Sequence, residues 1–171
     1  LPRHLSQMLL EDDIQVVGHY LSDDEMASLM NRCSIFLLPA ARIHVVSVLG
    51  AMAYGQALVV SDGWGMEEYV QHGKTGLIVP GRAGRTSWMD HPHGMLREDY
   101  SSMFEPNEEM VERLVTEISR LVEEVDLRRE LGFAARLQVA NHHSLERWNR
   151  DLSKVLEKVL PDFRSEVCHV G

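Results

Sequence analysis

The chain has 171 residues and a formal net charge of −9, from 17 basic against 26 acidic residues. That length suits one domain able to bury a core, and the acidic balance argues against a nucleic-acid partner or a polybasic membrane surface. No apolar stretch approaches the length of a membrane span, and the two cysteines, Cys33 and Cys168, lie far apart in no metal-ligand spacing, which suits a reduced, cytoplasmic protein.

In chain order, Leu5, Met8 and Leu9 predict a short helix within residues 1–13. Residues 14–20 (IQVVGHY) read as a strand ending at Gly18. Ser22 stands three residues before Glu25, with Asp23 and Asp24 between them. That is a capping box, and it marks a helix start. Met26, Leu29, Met30 and Cys33 share one face of this helix. Residues 35–38 (IFLL) are the next strand, ended by Pro39. Residues 45–54 are apolar nearly all round, which predicts a buried helix with Gly55 as its C-terminal cap. Residues 57–62 (ALVVSD) are a strand, and Gly63, Trp64 and Gly65 form a turn at its carboxyl end. A short helix over 66–72, capped by Gly73, leads to the last strand, GLIVP at 76–80.

Residues 81–105 break this rhythm with glycines, prolines and few periodic apolar positions, as a lid, binding loop or insertion would. Three helices follow. One covers 107–125, with Met110, Leu114, Ile118, Leu121, Val122 and Val125 on one face. One covers 127–141, using Leu131, Ala134, Ala135 and Leu137. One starts after Ser144 as N-cap and carries Trp148, Leu152, Val155, Leu156 and Val159 before Pro161.

Short apolar runs alternating with helical patterns predict an α/β fold, a parallel sheet with flanking helices. Ligands bind such sheets at the carboxyl ends of the strands, so the loops after Val17, Leu38 and Val60 are the expected site. Four strands would leave residues 14–19 on an unpaired edge, which is expected either to be covered by a second copy of the chain or to be damaged by the absence of its neighbours.

Residues 61–70 (SDGWGMEEYV) and 72–79 (HGKTGLIV) resemble the S-D-x-x-G-x-x-E-x-V … G-x-T-G-L-L-V signature of group 1 (family 4) glycosyltransferases. Ala51-Met52-Ala53-Tyr54-Gly55 is similar to the E-A-M-A-x-G that precedes it. Val17-Gly18 and residues 27–39 resemble the family's F-x-G strand and its L-x-x-x-A-D-x-x-x-x-P-S element. Ala134-Ala135-Arg136 and residues 143–148 (HSLERW) resemble its A-R … F-S-W-E-R ending. The resemblance spans residues 14–160, apart from the insertion at 81–105.

The resemblance implies a GT-B fold of two Rossmann-like domains, with a nucleotide-sugar donor held by the C-terminal one. Residues 1–160 would be that Rossmann-like domain, incomplete at its N-terminus, and 161–171 a tail. Two strands carrying an Arg and a Lys for the donor diphosphate, and an acceptor-binding N-terminal domain, are expected from preceding chain or a partner chain. The implied activity is a retaining glycosyltransferase. Its chemistry rests on phosphate positioning and electrostatic stabilisation of an oxocarbenium-like transition state, not on a protein nucleophile. The donor is a substrate, and neither cofactor nor metal is expected. Asp90, His91 and His93 lack a completing ligand set, and His142-His143 suits the dipole of a helix end.

By the same resemblance, the backbone near Gly18 and His19 would meet the nucleobase. The loop of Arg42, Ile43, His44, Val45 and Val46 would meet phosphate and sugar, and Gly63, Trp64 and Gly65 would wall the pocket. The family's Glu-x7-Glu departs here: its first position is Arg42 and its second, which holds the donor ribose, is Gly50. Its Gly-Phe-Gly becomes Ile43-His44-Val45. Two readings of Arg42 stay open, a bidentate phosphate contact beside a helix N-terminus or a solvated loop residue. The departures favour, as the alternative function, a non-catalytic relative kept as a binding or partner subunit. A third reading, a dinucleotide-binding oxidoreductase, fails at the third glycine of G-x-G-x-x-G, where Glu68 stands.

Overall fold

The computed structural model describes residues 14–40, 43–63, 65–81, 89–90, 95–96 and 107–159. The expectations for residues 1–13, Arg42, Trp64, His91, His93 and 161–171 lie outside them. The chain divides into two compact units, Leu1–Arg32 and Cys33–Gly171.

The first unit holds helix α1, Asp23–Arg32. Its capping box forms as the sequence dictates. The Ser22 hydroxyl accepts from the Glu25 amide at 3.4 Å, and Glu25 Oε2 accepts from the Ser22 amide at 2.8 Å and from its hydroxyl at 2.7 Å. These bonds hold the Glu25 carboxyl below its ordinary range. Residues 14–20 form no strand and are exposed throughout, which corrects the expected strand at IQVVGHY. An apolar run becomes a strand only when a neighbour pairs its amides and carbonyls, and among the described residues none does. Gly18 and His19 therefore do not stand at a strand end.

The second unit is built on a parallel sheet of β1 (Ile35–Leu38), β2 (Ala57–Ser61) and β3 (Leu77–Val79), in that order. Ile35 pairs with Ala57 and Leu38 with Val60, while Val59 pairs with Leu77 and Ser61 with Val79. The sheet thus has three described strands instead of the four expected. All five residues of β2 are buried. Alternation sends Ala57 and Val59 to one face and Leu58 and Val60 to the other, so both faces of the central strand are covered. The edge strand β1 is only half-covered, and Leu37 is exposed.

Helix α2, Val45–Ala53, links β1 to β2. Val48, Ala51 and Met52 bury one face, while Val46 is 86% exposed. The expected all-round burial is therefore corrected to burial of one side. Gly55 ends the helix at φ 72°, its amide bonded to Met52 O at 2.9 Å. The helix expected over 66–72 is only a 3-10 turn, Met66–Glu68, entered through Gly65 at φ 80°. It stops early because the Gln71 amide turns to Thr75 Oγ1 at 2.9 Å and does not extend the helical ladder. Within 81–105, β4 (Met89–Asp90) pairs antiparallel with β5 (Met95–Leu96).

Helices α3 (Glu108–Glu123) and α4 (Val125–His142) close the core. Asn107 caps α3 and anchors it: its Oδ1 accepts from the Met110 amide at 3.1 Å, and its Nδ2 donates to Gly81 O at 3.1 Å. The expected face of α3 is right at Met110, Leu114 and Leu121, which pack with Leu131 of α4 against Ala57, Val59, Leu77 and Val79. Val122 is exposed because the buried stripe stays on the Met110–Leu121 row, and Val125 is exposed where it opens α4 beyond the expected helix. Helix α5, Leu145–Val159, buries no residue, so its expected apolar face at Trp148, Leu152, Val155 and Val159 is uncovered among the described residues. No described helix is long and apolar enough to cross a membrane.

Candidate functional site

A parallel sheet puts the carboxyl ends of all its strands on one side. Here those ends are tied together. The buried Ser61 hydroxyl donates to Ala40 O at 2.6 Å, joining the end of β2 to the loop after β1. The Asp62 amide donates to Val79 O at 2.9 Å, joining β2 to β3. A Cβ built on Gly65 would sit 3.2 Å from Ile43 Cγ2. The loop before α2 and the turn after β2 therefore pack against each other, as a pocket wall requires.

The first turn of α2 faces this region without a side-chain cap. His44 is the N-cap residue, at φ −102° and ψ 86°, and its ring makes no capping bond. No acid stands in that first turn. The helix thus presents amide groups and the positive end of its dipole, a combination that suits an anion. Of the expected site residues, the structure brings together Ile43, His44, Val45 and Val46 at this helix start, with Gly63 and Gly65 in the facing turn. Gly50 lies further along α2, half-buried, and a Cβ added there would meet nothing within 4 Å. Arg42 and Trp64 lie outside the described residues. Gly18 and His19 belong to the first unit, where His19, Gln15, Asp24, Ser28 and Arg32 line a cavity of 420 Å³.

A second group of polar residues collects at the α4–α5 junction. Ser144 caps α5, accepting from the Arg147 amide at 3.3 Å. The Arg147 guanidinium donates to Asn141 O at 3.2 Å, and its Nη1 lies 2.6 Å from His142 Nδ1. The His143 ring stacks on Tyr69, with centroids 5.5 Å apart and planes 27° apart. The sequence reading placed His142 and His143 at a helix end and His143, Arg147 and Trp148 in the HSLERW match, with Trp148 also on an apolar helix face; the Arg147–His142 and Tyr69–His143 contacts carried no signal in it.

The His143 pKa lies below the ordinary 6.5, first because stacking shields the ring from water and then because His142 and Arg147 repel its proton. The unfolded chain then takes up a proton before the folded chain does, so stability falls as pH drops below 6.5. We expect the thermal midpoint of wild type to lose ground to that of His143→Gln between about pH 7.5 and 5. Parallel midpoint curves for the two proteins would contradict this assignment. Among the described residues no group of three or more His, Cys, Asp or Glu could hold a metal ion.

The family model described as "Glycosyl transferases group 1" matches residues 1–96. The chain belongs to the group 1 glycosyltransferases. Solved structures agree in fold. The C-terminal domain of the group 1 family protein LpcC from Francisella tularensis superposes with a TM-score of 0.58 at 15% identity, over 84% of this chain and 62% of that one. Anabaena HepE in complex with UDP-glucose gives 0.60 at 17% identity, over 91% and 36%. A glycosyltransferase from Rickettsia africae gives 0.61 at 16%, over 94% and 35%. No curated protein matches the sequence. The group 1 chain described here thus spans under two thirds of the first of these structures and about a third of the other two. Its fold is that of a GT-B C-terminal domain.

Proposed function

We propose that the chain is the donor-side domain of a retaining glycosyltransferase that transfers a sugar from a nucleotide-sugar to an acceptor. The observation that carries this reading is the uncapped N-terminus of α2 at the carboxyl edge of the sheet, opposite the Gly63 to Gly65 turn. The amides of Val45 and Val46 would hold the donor diphosphate, with Arg42 adding a bidentate contact. The dipole and amides would stabilise the charge that builds on the leaving phosphate as the glycosidic bond breaks. The UDP-glucose bound by Anabaena HepE supports a nucleotide-sugar as the ligand class. A separate acceptor-binding domain would supply the other half of the cleft, and the nucleotide-sugar would enter as a substrate, with no cofactor beside it.

A second reading has its own observation. Gly50 stands where the family's ribose-holding Glu is expected, and the space beyond it is open. That favours a non-catalytic relative that has given up a donor contact while keeping the scaffold. Calorimetric titration of the full-length protein with a panel of nucleotide diphosphate sugars separates the two. Saturable binding with sugar transfer or hydrolysis supports the enzyme. No heat and no product across the panel supports the binding subunit.

A further inference from the structure

We propose that the cavity at the α4–α5 junction binds a single sugar ring. The cavity measures 300 Å³, at the small end of ligand pockets. That is room for one pyranose and too little for a nucleotide-sugar. Val45 and Leu49 of α2 give it an apolar side, and Tyr69, His143, Trp148 and Asp151 line the rest.

A pyranose has an apolar face of axial C–H groups and a rim of hydroxyls that need donors and acceptors side by side. Trp148 meets the first demand. Trp148 is 61% exposed and lines the cavity, and its indole supplies a flat apolar surface. Arg147 and Asp151 meet the second. Arg147 Nε lies 3.4 Å from Asp151 Oδ2, so a donor and an acceptor stand in one row for neighbouring hydroxyls. This ion pair is exposed and contributes little by itself, so sharing it with a ligand costs little. Arg147 is already held by Asn141 O and the His142 ring, which lowers the ordering cost of binding. Asp151 is also paired with Arg150 at 3.8 Å and Lys154 at 3.4 Å, so its charge is shared among cations, and a lining that offers one guanidinium beside one carboxylate matches a neutral polyol.

Val45 opens α2 and also lines this cavity, so the sugar site borders the helix end proposed for the donor. On that reading, and only for this label, the bound ring belongs to the acceptor.

Saturation-transfer NMR of the full chain with methyl gluco-, galacto- and mannopyranosides tests the site. At least one glycoside is expected to bind saturably, with strongest transfer to ring C–H protons. Trp148→Ala should abolish the signal, Trp148→Phe should keep part of it, and Asp151→Asn should weaken it at least fivefold. Trp148 is exposed, so the fold should survive its removal, and circular dichroism checks this. Absence of transfer from every glycoside, equal binding by Trp148→Ala, or displacement by inorganic phosphate or UDP would each overturn the sugar site. Sugar binding without any UDP binding elsewhere would refute the donor reading and leave this site standing.

Discussion

Gly132→Ala should lower the thermal midpoint by about 6–12 °C, the shift that a loss of about 3 kcal/mol causes in a chain of this size. Gly132 lies in α4 and is buried. A Cβ there would overlap the backbone oxygen of Gly55, so α4 and the end of α2 touch with no side chain between them. The neighbour is main chain at a turn with φ 72°, which cannot swing aside as a side-chain tip would. Helix propensity works the other way, because Ala is favoured over Gly by about 1 kcal/mol in a helix. The overlap should win, since it displaces two packed elements at once. Gly50→Ala supplies the contrast. It makes the same change in α2, but its Cβ meets open space, so only the propensity gain remains. Its midpoint should rise. A Gly132→Ala protein as stable as wild type would show that α4 does not approach Gly55 this closely.

Gly50→Glu should raise affinity for a nucleotide-sugar by about 10–100-fold. A hydrogen bond to a charged group contributes about 1.5–3 kcal/mol, and each 1.4 kcal/mol is a factor of ten. The substitution restores the carboxylate that the family places on the donor ribose, at a position with space to receive it. Gly50→Ala should leave affinity unchanged, which separates the carboxylate from any effect of helix stiffening. Equilibrium titration of the three proteins with the same donor reads the result. If Gly50→Glu binds no more tightly than Gly50→Ala, this face of α2 does not meet the ribose.

Much of the second unit was legible in the sequence because local signals and burial agreed. The ALVV run is buried on both faces: Met110, Leu114, Leu121 and Leu131 of the flanking helices cluster with Ala57 and Val59, and Leu58 and Val60 on the opposite face are fully buried too. Asn107 and Ser144 cap the helices they were read to start or precede. The Ser22 and Glu25 pair forms both halves of its box. The failures share a cause, which is that an apolar pattern records a capacity for burial but not what provides it. Residues 14–20 have the composition of a strand and no described partner. Val46 and Trp148 sit in apolar patterns and stay exposed, one beside the candidate donor site and one beside the proposed sugar site. The Gly132 contact could not be read at all, since a glycine inside a helical pattern shows nothing of the backbone that presses on it. At the site, the sequence placed the loops of Ile43 and Gly65 at one carboxyl edge, but not the contact between the two residues. The Tyr69–His143 stack did not, because it joins a turn to a helix end far along the chain.

The account rests most heavily on the N-terminus of α2 as the anion-binding element. Backbone amide NMR during titration with UDP tests that directly. The expected result is saturable shifts concentrated at Val45, Val46 and Ser47, with Gly65 moving in step. Shifts confined to residues away from α2 and the Gly65 turn, or no saturable shift at any amide, would contradict it.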